Sequence, residues 1–187
     1  ARLGLMPRDG TNADESWHAI DPRYVFHPVN AWEDGTSVQL LVCRQPQAMV
    51  GGFSDIEGAR AALWRWTIDK ASGTVTEEQL DDRMADFPRV DDRRTGLANR
   101  YGYLAQLRQE DGVGAAIGSE LYKYDLATGA VETHRTSDTS RVCEPVFAPA
   151  GSVAAVDEGF VLVDVCDEAQ VRAAVQRLAP YEYAALA

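Results

Sequence analysis

Short runs of apolar and β-branched residues recur along the chain, each too short for a helix and each closed by a turn signal. Tyr24–Trp32 and Ser37–Cys43 flank Glu33-Asp34-Gly35-Thr36. An Asp-Gly step between two such runs predicts a hairpin, because glycine accepts the positive φ that a tight turn demands. Leu63–Ile68 and Thr74–Thr76 enclose Ala71-Ser72-Gly73, and Leu121–Leu126 and Ala130–Glu132 enclose Ala127-Thr128-Gly129. These last two hairpins are alike residue by residue. Leu63 and Leu121 stand 58 positions apart, and a fixed period of this size is the signature of a repeat architecture. The chain is therefore expected to be all-β, in antiparallel units of four strands. Gly159–Val165 (GFVLVDV) reads as one more buried strand. The tail is different in kind: from Asp167 to Leu178 good helix formers follow acids at the start and precede arginine near the end, which predicts a short C-terminal helix closed by Pro180. Residues 167–187 form this divergent tail of a single partial domain, 1–187.

A second register accompanies the first. His27 precedes Pro28, Asp86 stands two before Pro88, and Glu144 precedes Pro145, at spacings of 59 and 58. Proline removes a ladder donor, so it belongs to edge strands, strand entries or bulges. The innermost strand of a propeller blade is such an edge, and equivalent positions on successive inner strands converge on one axis. The spacing alone supports two readings: convergence of three polar side chains on a central site, or prolines that mark strand entry beside solvated polar groups.

With 45% apolar and 25% charged residues, the 187-residue chain has the composition of a globular protein. Its net charge of −11 opposes contact with nucleic-acid phosphates and anionic lipid, so neither partner is expected. No apolar run approaches the roughly 20 residues that cross a bilayer, and no charged-then-apolar leader opens the chain. No transmembrane segment is expected, and the sequence reads as cytoplasmic. Cys43, Cys143 and Cys166 are odd in number, far apart in sequence and without a Cys-x-x-Cys pair, which predicts reduced, mostly buried thiols.

Other polar features have structural readings. His18 reads as a surface or satisfied core histidine and His134 as part of a solvated strand end. Asp9–Glu15 is rich in oxygen ligands, but its spacing misses the calcium-loop pattern and predicts a polar turn. Asp81-Asp82 and Asp91-Asp92-Arg93-Arg94 read as solvated loop faces. Trp64, Trp66, Tyr122 and Tyr124 recur with the repeat and are expected to pack one blade on the next.

Tyr24-Val25-Phe26-His27-Pro28-Val29-Asn30-Ala31-Trp32-Glu33-Asp34-Gly35 resembles the histidine-bearing segment of the carotenoid cleavage oxygenases. Leu3–Arg8, Asp86–Val90 followed by Arg100-Tyr101-Gly102-Tyr103, Tyr124-Asp125-Leu126 with Thr128-Gly129, and Cys143-Glu144-Pro145-Val146-Phe147 resemble family segments in the same order. The ordered set spans residues 1–166. The resemblance implies a seven-bladed β-propeller whose axis holds iron(II) on four histidines, with carboxylates hydrogen-bonded behind several of them. It implies oxidative cleavage of a C=C bond in a hydrophobic, conjugated substrate by O2, giving two carbonyl products.

Residue by residue, His27 matches an iron ligand, Glu144 an outer carboxylate, and Asp86 the place of a second outer carboxylate that the family usually fills with Glu. On its own, His27 would read as structural; the family context makes it a ligand. A neutral imidazole suits iron, and a carboxylate that accepts its other N–H fixes the tautomer. Asp86 is one methylene shorter than Glu, which predicts a long or water-mediated hydrogen bond to the histidine. Segments carrying the other three histidines have no counterpart here, and the length suits about three blades, so the chain is expected to be inactive without the remaining blades. The alternative is a non-catalytic propeller segment serving as a binding or structural module. Three further histidines at blade-phase spacing in flanking sequence would separate the two.

Overall fold

The computed structural model describes residues 1–48, 60–110 and 114–167. Among them the regular elements are fourteen β-strands, with single 3-10 turns at Asn12–Asp14 and Asp92–Arg94. β1 (Arg2–Leu5) pairs with β2 (Ser16–Ala19). β3 (Tyr24–Asp34), β4 (Ser37–Gln45), β5 (Ala62–Asp69) and β6 (Val75–Gln79) form one four-stranded sheet in sequence order. β7 (Ala85–Arg89), β8 (Tyr101–Glu110), β9 (Gly114–Asp125) and β10 (Ala130–Arg135) form a second. A third unit starts with β11 (Ser140–Val142) on β14 (Val165–Asp167) and β12 (Val146–Pro149) on β13 (Gly159–Leu162). All pairings are antiparallel. These meanders are the blade units that the repeat predicts.

The three hairpins form where the turn signals stand. Gly35, Gly73 and Gly129 have φ of +56°, +71° and +74°, a region that side chains with a Cβ avoid. The two similar hairpins share more than glycine: Gly73 N–H donates to the Asp69 carbonyl and Gly129 N–H to the Asp125 carbonyl, both at 2.8 Å. The structural equivalence is therefore Asp69 with Asp125 and Gly73 with Gly129, 56 positions apart, two fewer than the Leu63-to-Leu121 spacing. β5 and β9 are thus matched from their turns, with Trp66 in the position of Tyr122.

Burial follows position in the sheet. Leu41 through Gln45 of β4 are all buried, as expected for a central strand covered on both faces, whereas β10 is almost wholly exposed. Val29, Leu41 and Leu63 of the first sheet pack with Leu104, Tyr122 and Tyr124 of the second in one core. Each fully buried leucine contributes about 1.5–3 kcal/mol of transfer free energy. Tyr124 also donates its hydroxyl to Asp81 at 2.7 Å, tying the second sheet to the loop after β6. Trp66, Tyr122 and Tyr124 are buried as expected, but Trp64 is only half-buried, with the Arg44 guanidinium 3.5 Å above its ring.

Three expectations change. The Gly159–Val165 run is two short, largely exposed strands rather than one buried strand, with Phe160 72% exposed. The acidic doublets are not uniformly solvated: Asp91 is buried and held by Arg93, and Asp81 receives the Tyr124 hydroxyl. Cys43 alone of the three thiols is buried. The C-terminal helix lies outside the described residues, except that Asp167 ends β14. No helix among the described residues is long and apolar enough to cross a membrane.

Candidate metal centre

β3 and β7 are the first strands of their sheets and each lies at a sheet edge. Their prolines sit at breaks in the ladder: the β3–β4 register shifts on both sides of Pro28, and the β7–β8 register shifts between Asp86 and Arg89. The prolines thus mark places where no ladder donor is needed. Phe87, between Asp86 and Pro88, takes φ of +54°, unusual for a residue with a Cβ. That conformation accompanies a 2.8 Å hydrogen bond from Phe87 N–H to Asp86 Oδ1.

The two edge strands bring His27 and Asp86 together. His27 Nδ1 lies 3.0 Å from Asp86 Oδ1, a direct contact in place of the long or water-mediated one expected from the shorter side chain. The carboxylate is 6% exposed and the imidazole 42%. An ionised carboxylate only accepts, so a neutral His27 carries its proton on Nδ1 and presents a lone pair at Nε2. Nε2 has no hydrogen-bond partner among the described residues. Burial pushes the Asp86 carboxyl above its ordinary value, opposed by the Phe87 N–H, by His27 and by the Cys43 thiol. The Cys43 thiol is pushed well up by burial and by the Asp86 charge, so it remains a donor to Asp86.

Glu144 follows a different path. It is half exposed, and its Oε1 lies 2.6 Å from Arg89 Nη2, three residues beyond Asp86 on β7. His27 and Asp86 are in contact; Glu144 is joined to the same strand through Arg89 and makes no hydrogen bond to His27. His18 is a satisfied core histidine, with Nδ1 2.9 Å from the Gly73 carbonyl and Nε2 3.0 Å from Ser16 Oγ. His134 is exposed on β10. The Asp9–Glu15 segment is a polar turn, with Thr11 and Asp14 forming a capping box.

Sequence reading missed Cys43 and Arg89, which touch the two outer carboxylates. Cys43 carried no local signal, because its contact with Asp86 joins strands of two sheets. Arg89 was legible only as a charge near a proline. Asn30, three residues after His27, was also passed over. Its side chain donates to the carbonyls of Arg94 and Leu97 at 3.1 and 2.9 Å and accepts from Gly96 N–H at 3.0 Å, clasping the 94–99 loop to β3.

The family model described as retinal pigment epithelial membrane protein matches residues 1–176. The chain belongs to this family of carotenoid oxygenases. Among curated relatives, a carotenoid cleavage oxygenase of Mycobacterium tuberculosis is 36% identical over 169 residues, which is 87% of this chain and 34% of the relative. The apocarotenoid-15,15'-oxygenase of Synechocystis is 28% identical over 169 residues, with the same coverage. The chain thus spans about a third of the length of these relatives.

Among solved structures, cobalt-substituted Synechocystis apocarotenoid oxygenase superposes with a TM-score of 0.73 at 27% identity, covering 88% of this chain and 35% of that one. The lignostilbene dioxygenase of Pseudomonas brassicacearum superposes with a TM-score of 0.78 at 23% identity, over 89% of this chain and 38% of that one, and shows the shared fold. His27, Asp86 and Glu144 lie within the matched range. The His27 imidazole is pinned at Nδ1 by a buried carboxylate, an arrangement that suits a metal ligand at Nε2. Among the described residues there is no group of three or more His, Cys, Asp or Glu side chains able to hold a metal ion.

Proposed function

We propose that this chain contributes one ligand and two outer carboxylates to a non-haem iron(II) dioxygenase that cleaves C=C bonds of carotenoids, apocarotenoids or stilbenoids to carbonyl products. The observation that carries the reading is the His27–Asp86 pair, in which a buried acceptor at 3.0 Å orients an imidazole whose Nε2 is left open. Iron(II), when bound by His27 and further ligands from outside the described residues, supplies the chemistry that activates O2.

The work of this chain's residues is positioning. Asp86 holds the His27 proton at Nδ1 and raises the basicity of Nε2. Phe87 N–H and the Cys43 thiol hold the carboxylate in turn. Glu144 is held from one side by Arg89 and is half exposed, leaving it able to accept an N–H from a second imidazole. Phe87 lies 5.1 Å from the His27 ring, and the exposed Phe26 and Tyr24 stack edge to face at 4.8 Å on the same strand. These rings give the surroundings of His27 the apolar, aromatic character that a conjugated alkene would match.

The full-length protein should convert stilbenoid or carotenoid test alkenes to aldehydes with consumption of O2, followed by chromatography and mass spectrometry of the products. The His27→Ala variant should lose product formation. Aldehyde formation by folded His27→Ala protein at the rate of the parent would overturn the ligand assignment.

A further inference from the structure

Cys143 and Cys166 are 23 positions apart in sequence but adjacent in the fold. β11 and β14 pair with Arg141 opposite Cys166 and Val142 opposite Val165. Cys143 N–H donates to the Asp164 carbonyl at 2.8 Å, which continues the register by one position. Cys166 is then two residues from the partner of Cys143, and side chains two apart project from the same face. Both side chains therefore project from one face, a single diagonal step apart. Cys166 is exposed and Cys143 half-buried.

We propose that Cys143 and Cys166 are a redox-modification site, closing to a reversible cross-strand disulfide when the protein meets a peroxide. Diagonal cross-strand neighbours have Cα atoms roughly 7–8 Å apart, slightly beyond the usual range for a disulfide, so the strands must draw together a little. The fold allows this. Regular pairing stops at Val142 and Val165 and resumes at Val146 and Leu162, so between the two ladders the adjustment falls on the Cys143–Asp164 hydrogen bond rather than on a regular ladder.

The reaction balances with hydrogen peroxide as oxidant. The accessible Cys166 sulfur attacks the peroxide O–O bond, becoming a sulfenic acid and releasing one water. Cys143 sulfur then displaces the hydroxyl group, forming the S–S bond and releasing a second water; the two thiol hydrogens leave in the waters, two sulfurs are oxidised and one peroxide is reduced. Cys143 is the less exposed of the two, which suits it to the second, resolving step, where its sulfur attacks after giving up its proton. Cys43 is fully buried against Asp86 and has no partner thiol, so it is excluded from the exchange. Because Glu144 follows Cys143 directly, the disulfide would fix the backbone from which the Arg89-bound carboxylate extends.

The test is peptide mapping of full-length protein, reduced, treated with hydrogen peroxide, alkylated and digested without reductant. The expected product is a Cys143 peptide joined to a Cys166 peptide, lighter by two hydrogen atoms than the separate pair and released by dithiothreitol. Cys166→Ser should leave Cys143 alkylatable, and Cys143→Ser should leave a sulfenic acid at Cys166 that dimedone traps; circular dichroism checks that both variants fold. Full alkylation of both cysteines after peroxide, or linkage of either one to a different cysteine instead, would overturn the proposal.

Discussion

Replacing Asp86 by Asn isolates what the buried charge does for His27. The carboxylate lies 3.0 Å from Nδ1 and is 6% exposed, so little solvent competes for the contact. Asn keeps an oxygen that can accept from both the imidazole and the Phe87 N–H, which reaches Asp86 Oδ1 at 2.8 Å, but it removes the negative charge and one acceptor. Outer partners of this kind are worth about 10–100-fold in metal affinity, or about 1.4–2.8 kcal/mol at about 1.4 kcal/mol per decade. Fold stability should change far less, because Asn also relieves the desolvation that burial imposes on the carboxylate. Asp86→Ala, in contrast, leaves the Phe87 N–H and His27 Nδ1–H without an acceptor and should cost about 1–3 kcal/mol of stability. Chelator competition on the full-length protein measures the first effect and urea unfolding the second. An Asp86→Asn protein with unchanged metal affinity would refute the orienting role of the carboxylate.

Two other outcomes are specific to the hairpins. Gly73→Ala and Gly129→Ala should each cost about 1–2 kcal/mol for a Cβ at positive φ, measured by urea unfolding. Gly73→Ala should cost more, since its Cβ would stand 3.2 Å from His18 Nδ1 whereas nothing lies within 4 Å at Gly129; equal costs would show that His18 yields freely. Arg100 holds the Asp125 carboxyl well below its ordinary value of 3.8 through contacts at 3.0 and 2.7 Å. A carboxyl depressed in the folded state stabilises fully above the unfolded value and loses that contribution as pH falls below it. The stability advantage of the parent over Arg100→Ala should therefore be constant near neutrality and shrink as pH falls below about 4 in denaturation curves; an advantage that grew there would contradict the pairing.

What the sequence made legible was local. Asp34-Gly35, Ser72-Gly73 and Thr128-Gly129 mark their turns because positive φ selects glycine, and Pro28 and Pro88 mark edge strands because proline has no N–H to donate. The 58-residue spacing found the repeat but set its phase two residues wide, since Leu63 and Leu121 share a hydrophobic character rather than a structural position. His27 and Asp86 were found through the family resemblance, and their contact is where β3 meets β7. Cys43 against Asp86, Arg89 against Glu144 and Cys143 against Cys166 depend on sheet packing and strand register, for which a single sequence carries no sign. The apolar run Gly159–Val165 looked buried because hydrophobicity reports the tendency to be covered, not the presence of a neighbour that covers it.

The central claim is that His27 binds the metal through Nε2. It is tested most directly by metal analysis of the purified full-length protein loaded anaerobically with iron(II), beside its folded His27→Ala variant. The expected result is stoichiometric iron in the parent and, in the variant, loss of most of it after gel filtration, because removing one imidazole both weakens binding and opens the site. Stoichiometric, tightly held iron in His27→Ala would contradict the assignment and return the His27–Asp86 pair to a structural role.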